Sequence, residues 1–158
     1  MAAFEYRQAQ EIRDAFARYS VKYLFLEKSA AILLGFPDTT QDVYVFPLKS
    51  DENGRRMTHA LRELGFALTE IQAQEIECGK DFVQLKNGPF DMDLIFAPDG
   101  IESFAHAWNR RVEVEGFPVC HPDDIIASKR AANRAKDRET LPRLSAFRDH
   151  WRRNRQGD

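Results

Sequence analysis

Three aspartates carry the chemistry most easily written for this chain. Asp42 opens a β-prone run, Asp42-Val43-Tyr44-Val45-Phe46, and Asp91 and Asp93 alternate along a later run, Phe90 to Phe96. Side chains two apart on a strand point the same way, so Asp42 and Tyr44 share one face and Val43 and Val45 the other. By the same rule Phe90, Met92, Leu94 and Phe96 turn toward a core, leaving Asp91, Asp93 and Ile95 on the opposite face. Carboxylate oxygens are hard donors suited to a divalent cation. A carboxylate at the mouth of a strand, beside the start of a helix, is a place to hold a metal and a phosphate. The residues also allow a plainer reading, in which Asp42 ends a loop and Asp91 is an exposed strand residue near a turn. Taken alone they leave both open.

The surrounding patterns supply the elements that must position these groups. Ahead of Asp42 lie a short apolar run, Tyr23 to Leu26, a small-residue helix, Ser29 to Gly35, and a Pro-Asp-Thr-Thr loop. The N-terminal stretch Phe4 to Tyr19 has a helical stripe of Phe4, Ile12, Ala15, Phe16 and Tyr19. Asp51 is expected to cap a helix running to about Leu64, with Gly65 as its stop. Phe66 to Gly79 is ambiguous, and could begin as a strand and continue as a short helix through Ile71 and Ile76. Asn87-Gly88 predicts a tight hairpin between strands at Asp81–Lys86 and Phe90–Phe96. A short helix, Ile101 to Trp108, precedes a second hairpin folded around Gly116. Pro122 suits the first position of a helix reaching about Arg134, on which Ile125, Lys129, Asn133 and Lys136 form one stripe. A last helix, Glu139 to Arg153, buries Leu141, Leu144, Phe147 and Trp151. The fold class is α/β, an α+β-like mixed sheet flanked by helices in a single domain.

Composition narrows the function classes. With 158 residues, 43% hydrophobic and 30% charged, the chain can build one ordinary core. No apolar run reaches the roughly 18 residues a membrane helix requires, so no membrane partner is expected. Charge begins at Glu5 and no apolar leader is seen, so a cytoplasmic location is expected. The two cysteines, Cys78 and Cys120, fit neither a disulfide framework nor a zinc site. His59, His106, His121 and His150 show no ligand spacing. Net charge is −2, yet the segment from Lys129 onward is rich in arginine, including Arg152 and Arg153. Such a basic C-terminal helix is either a solvated face or a surface for an anionic partner, a nucleic acid or nucleotide.

Several pieces in this order resemble a minimal nucleotidyltransferase fold, of the small bacterial type related to the AbiEii toxin. They are Glu27-Lys28-Ser29, Asp38-Thr39-Thr40, Asp42-Val43-Tyr44, Asp93-Leu94-Ile95, and Ile125-Ile126-Ala127-Ser128-Lys129 followed by Arg134-Ala135-Lys136-Asp137. The resemblance runs from Tyr23 to about Leu144. It implies Mg²⁺ and a nucleoside triphosphate as cofactor and substrate, with Asp42 and Asp93 as metal-binding, catalytic carboxylates. It also implies Ser29, Lys129 and Lys136 as nucleotide-binding residues. Glu27-Lys28 stands where the family pattern has a glycine turn, and Tyr44 where it has a second carboxylate. A phenol stays protonated at neutral pH and is a poor Mg²⁺ ligand. Asp91 would then complete a rearranged triad with Asp42 and Asp93. Two functions follow: a nucleotidyltransferase, or a module that has lost the chemistry. The module would bind a nucleotide, a nucleic acid or a protein, for example as a toxin–antitoxin component.

Overall fold

The computed structural model describes residues 4–156, with the side chain of residue 156 left aside. In chain order the elements are α1 (Tyr6–Arg18), β1 (Tyr23–Leu26), α2 (Glu27–Leu33), β2 (Asp42–Pro47), α3 (Asp51–Leu64), α4 (Glu70–Cys78) and β3 (Phe82–Leu85). They continue with β4 (Asp91–Ile95), α5 (Phe104–Arg110), β5 (Val112–Val114), β6 (Phe117–Val119), α6 (Pro122–Ala132) and α7 (Ala135–Gln156). The strands form one mixed sheet in the order β3-β4-β2-β1-β6-β5. β1 lies at its centre and is buried at every position, as its unbroken apolar run requires.

Strand register assigns the two faces. Tyr23 and Phe25 share a face with Val43, Val45, Met92, Leu94, Val83 and Leu85, all buried. The amphipathic α1 covers this face, with Phe16 edge-on to Tyr23, and α3 packs beside it. The other face is divided. Its apolar half, Leu24, Leu26 and Phe46, lies under α5 and α6, with Phe104 edge-on to Phe46. Its polar half consists of Asp42, Tyr44, Asp91, Asp93 and Gln84 on β2, β4 and β3.

Four local expectations change. The α3 cap is Ser50, whose hydroxyl accepts from the Asn53 N–H, while Asp51 sits in the first turn beside the helix's positive end. No strand forms between residues 66 and 79; Thr69 and Gln72 make a reciprocal capping box that starts α4 instead. Asn87-Gly88 does not form a tight hairpin turn. Neither residue has positive φ, and β3 and β4 are joined by the longer 86–90 connection. The Asn87 amide donates to Ala67 O and Gln72 Oε1, tying that connection to the start of α4. The true tight turn is Glu115-Gly116, with φ of 51° and 81°, between β5 and β6. Finally, α6 stops at Asn133 in the left-handed region, φ 51°, and α7 begins at Ala135, before the expected Glu139. Lys136 therefore lies on α7 and does not continue the Ile125–Lys129 stripe.

Candidate active site on the polar face of the sheet

β2 and β4 run parallel, with Asp42 opposite Asp91 and Tyr44 opposite Asp93. Asp42 and Asp93 are thus diagonal neighbours on one face. Asp93 is 4% exposed, and its Oδ1 has no hydrogen-bond partner. Burial, reinforced by the Asp42 charge, pushes its pKa up to about 6, against a hydrogen bond from Gln84 that favours the anion. Tyr44 is half-buried, and desolvation together with Asp42 and Asp93 raises its phenol further above its ordinary value. Tyr44 therefore stays neutral, as its sequence position suggested.

A buried carboxylate oxygen without a donor is costly unless something answers it. A hard cation fits that need. Among the described residues no three His, Cys, Asp or Glu side chains come close enough to make a closed ligand set. The donors present, Asp42 and Asp93 with Asp91 alongside, suit Mg²⁺. That ion keeps several waters and shares substrate phosphates, and seldom sits in an all-protein cage.

The cationic side of the site is more tightly committed than its sequence implied. Glu27, which begins α2, adopts φ 60°, a left-handed conformation that costs a non-glycine residue roughly 1–2 kcal/mol. Its buried carboxylate accepts from Ser128 Oγ at 2.9 Å and forms an ion pair with Lys129 Nζ at 2.9 Å. Lys129 Nζ also reaches Asp137 Oδ1 at 3.2 Å, and Arg134 Nε donates to Asp137 Oδ2 at 2.7 Å. These cations hold Asp137 below the usual carboxylate range in spite of its burial. Lys28 pairs with Asp38 at 3.3 Å, and Arg143 joins the same carboxylate from α7. The Ser29 hydroxyl donates to Leu26 O at 2.8 Å and accepts from Tyr44 N–H at 3.1 Å, so it splices β1 to β2.

Of the expected site residues, the structure places Asp42, Asp91 and Asp93 on one face but does not bring the three together as the expected metal-binding triad among the described residues. It brings Lys129 and Lys136 together with Lys28, Tyr44 and Arg134 around a pit of about 80 Å³. Beyond Asp93 the same face opens into a cleft of about 470 Å³, bordered by Phe82, Ile95, Asp81, Asp99, Ser128 and Arg134. Sequence reasoning missed Glu27, Ser128 and Asp137 as a linked set. No spacing rule joins residues 27, 128 and 137. Arg134-Ala135-Lys136-Asp137 stood in the sequence as part of the nucleotidyltransferase-like pattern, with Lys136 and not Asp137 as its expected functional residue.

Two solved structures share this arrangement of sheet and helices. The lincosamide antibiotic adenylyltransferase LnuA, solved with lincomycin bound, aligns over 91% of this chain and 98% of its own, with a TM-score of 0.65 and 12% identity. This is a nucleotidyltransferase fold. A putative nucleotidyltransferase from Thermotoga maritima aligns over 90% of this chain and 92% of its own, with a TM-score of 0.53 and 19% identity. No family model matches the sequence, and no curated protein matches it. Identities this low convey the fold and leave the chemistry to the site.

Proposed function

We propose that this protein binds a Mg²⁺–nucleoside triphosphate on the polar face of its sheet and transfers the nucleotidyl group to a hydroxyl-bearing acceptor. The observation that carries the reading is the unpartnered, buried Asp93 carboxylate lying diagonal to Asp42 on adjacent parallel strands. Asp42 and Asp93 would hold the cation, and Asp91, opposite Asp42 on β4, stays outside that pair. Bound there, Mg²⁺ would supply charge neutralisation of the phosphates and of the α-phosphoryl group as it is attacked. Tyr44, fixed in its neutral form, occupies a ligand-like position without contributing charge.

Phosphate contacts fall to the cations around the adjoining pit. Lys136 is exposed there, while Lys129 acts by anchoring Glu27 and Asp137, and Arg134 by its bond to Asp137. The cleft beyond Asp93 is of a size for a small-molecule acceptor. The LnuA structure contains such a molecule, lincomycin. An acceptor resting on Phe82 and Ile95 would present its hydroxyl toward Asp93, two residues back along the same strand face. Attack of the hydroxyl oxygen at the α-phosphorus would form the new ester bond, break the bond to the bridging oxygen, release pyrophosphate and give the hydroxyl proton to solvent.

Calorimetric titration of ATP, GTP, CTP and UTP, with and without Mg²⁺, tests the binding half. Expected is Mg²⁺-dependent binding of at least one nucleotide, weakened at least about tenfold in D42N. Equal binding by wild type and D42N, or none by either, overturns the reading. A second reading is favoured by the Lys129 pairing and by Tyr44: nucleotide is held and never turned over. Release of pyrophosphate across an acceptor panel separates the two.

A further inference from the structure

The site described above does not account for a second, arginine-lined recess. It lies between the start of β5, the residue preceding α6 and the last turns of α7. Its volume is about 280 Å³, and its walls include Arg110, Arg111, His121, Trp151, Arg152 and Arg155, with no carboxylate among the lining residues. β6 runs parallel to β1, and β5 antiparallel to β6, so Arg111 and His121 lie at the same end of the sheet as Glu27 and Asp42. Three strand intervals separate β5 from β2, roughly 14 Å. The recess is therefore a separate place on the same edge of the molecule.

Its arginines are oriented from behind. Arg110 is held by Glu102 and Asp124 and forms a fixed wall. The Arg111 guanidinium lies 3.9 Å from the centre of the Trp108 ring, with Nε on Glu113 and one terminal nitrogen on Trp108 O. Arg152 gives one terminal nitrogen to both oxygens of Asp123, at 2.8 Å each. Arg155 rests over the Trp151 ring at 4.7 Å. These tethers use some donors of each fork and leave others for a ligand. His121 Nδ1 accepts from the Asp123 N–H at 3.0 Å, and burial lowers the pKa of its ring. The neutral ring consequently carries its proton on Nε2, a further donor.

We infer that this recess is a phosphate-binding site, in which Arg111, Arg152 and Arg155 grip a phosphoryl group with help from His121 Nε2–H. Guanidinium forks match phosphate oxygens in pairs, and pre-tethered side chains lose little entropy on binding. Glu102, Asp124, Glu113 and Asp123 stand behind Arg110, Arg111 and Arg152 and offset part of their charge, so a phosphate would be gripped through the donors the tethers leave free. The Trp151 ring is already engaged by Arg155 and by a T-shaped contact with His121, so the group recognised is the phosphate and not a stacked base. The phosphate could belong to a small phosphorylated molecule or to the end of a nucleic-acid strand.

The test follows the arginine Nε–H signals by NMR, in EDTA and in the D42N background, so that a Mg²⁺-dependent nucleotide site contributes nothing. The probes are inorganic phosphate, pyrophosphate and a 5′-phosphorylated single-stranded RNA octamer. Saturable shifts of Arg111 and Arg155 are expected, with affinity at least about tenfold lower in R111Q/R155Q and changed less than about twofold in R153Q. Because R111Q also removes a contact to Trp108, R155E serves as a second variant and must abolish binding while leaving the melting temperature unchanged. Binding of pyrophosphate with no gain for RNA assigns a small phosphorylated ligand. Tighter RNA binding that weakens steeply with salt assigns a strand. Absence of saturation by all three probes up to about 10 mM, or an equal loss in R153Q, overturns the inference. Either result leaves the Asp42–Asp93 reading intact, since that binding requires Mg²⁺.

Discussion

At the scale of single residues, Asp93 concentrates the electrostatic cost of the candidate site. Its folded pKa of about 6 lies above the usual 3.8 of an aspartate. Between about pH 4 and pH 6 the folded protein therefore retains a proton that the unfolded chain has released. For this group stability is greatest below pH 4, falls as pH rises through that window, and levels off above it. D93N should remove the dependence and melt higher than wild type at pH 7, by an amount on the order of 2 kcal/mol. Mg²⁺ should raise the wild-type melting temperature at pH 7 more than at pH 5, and leave D93N unmoved. Superimposable pH–stability profiles for the two proteins would sink this account. The aspartate itself was legible from alternation along β4. Its burial was not, because it depends on which strands lie on either side.

At the scale of elements, the crossing of α3 and α4 depends on a glycine in the first turn of α3. A Cβ built on Gly54 would stand 2.6 Å from Glu77 Cα and 2.9 Å from Ile76 O, both backbone atoms of α4 that cannot swing away. Its φ lies outside the left-handed region, so the requirement is one of space alone. Alanine would raise helix propensity by about 1 kcal/mol, yet the clash should dominate. G54A is expected to lose about 2 kcal/mol in urea unfolding, and a variant as stable as wild type would show that the helices can separate at no cost. The same helices show where local signals mislead. Asn87-Gly88 is the strongest tight-turn dipeptide in the chain, yet the Asn87 side chain is drawn to the start of α4 and the turn opens. Pro122 and Gly65 behave as their local chemistry dictates, because a missing N–H and a left-handed stop need no distant partner.

At the scale of the whole molecule, Glu27, Ser128, Lys129 and Asp137 bolt the end of β1 to α6 and α7. All four are nearly inaccessible, with Asp137 at 1% exposure. Breaking one partner strands a buried charge, whereas removing both does not. E27Q and K129M should each cost on the order of 2–3 kcal/mol, and the double variant clearly less than their sum, with a coupling of at least about 1 kcal/mol. Strict additivity would mean that Asp137 alone satisfies Lys129. The sequence alone determined the mixed α/β class, most of the helices, the short apolar run that becomes β1 and the aspartates on one strand face. These follow from periodicity and steric rules that act within a few residues. The tertiary structure decided which charges are free to act. Lys129 reads as a phosphate ligand until Glu27 and Asp137 are seen around it, and Asp93 reads as one metal-binding carboxylate among several until β2 and β3 enclose it. The physical reason is that pairing and desolvation are set by groups tens of residues away, and no local pattern encodes the distance between them.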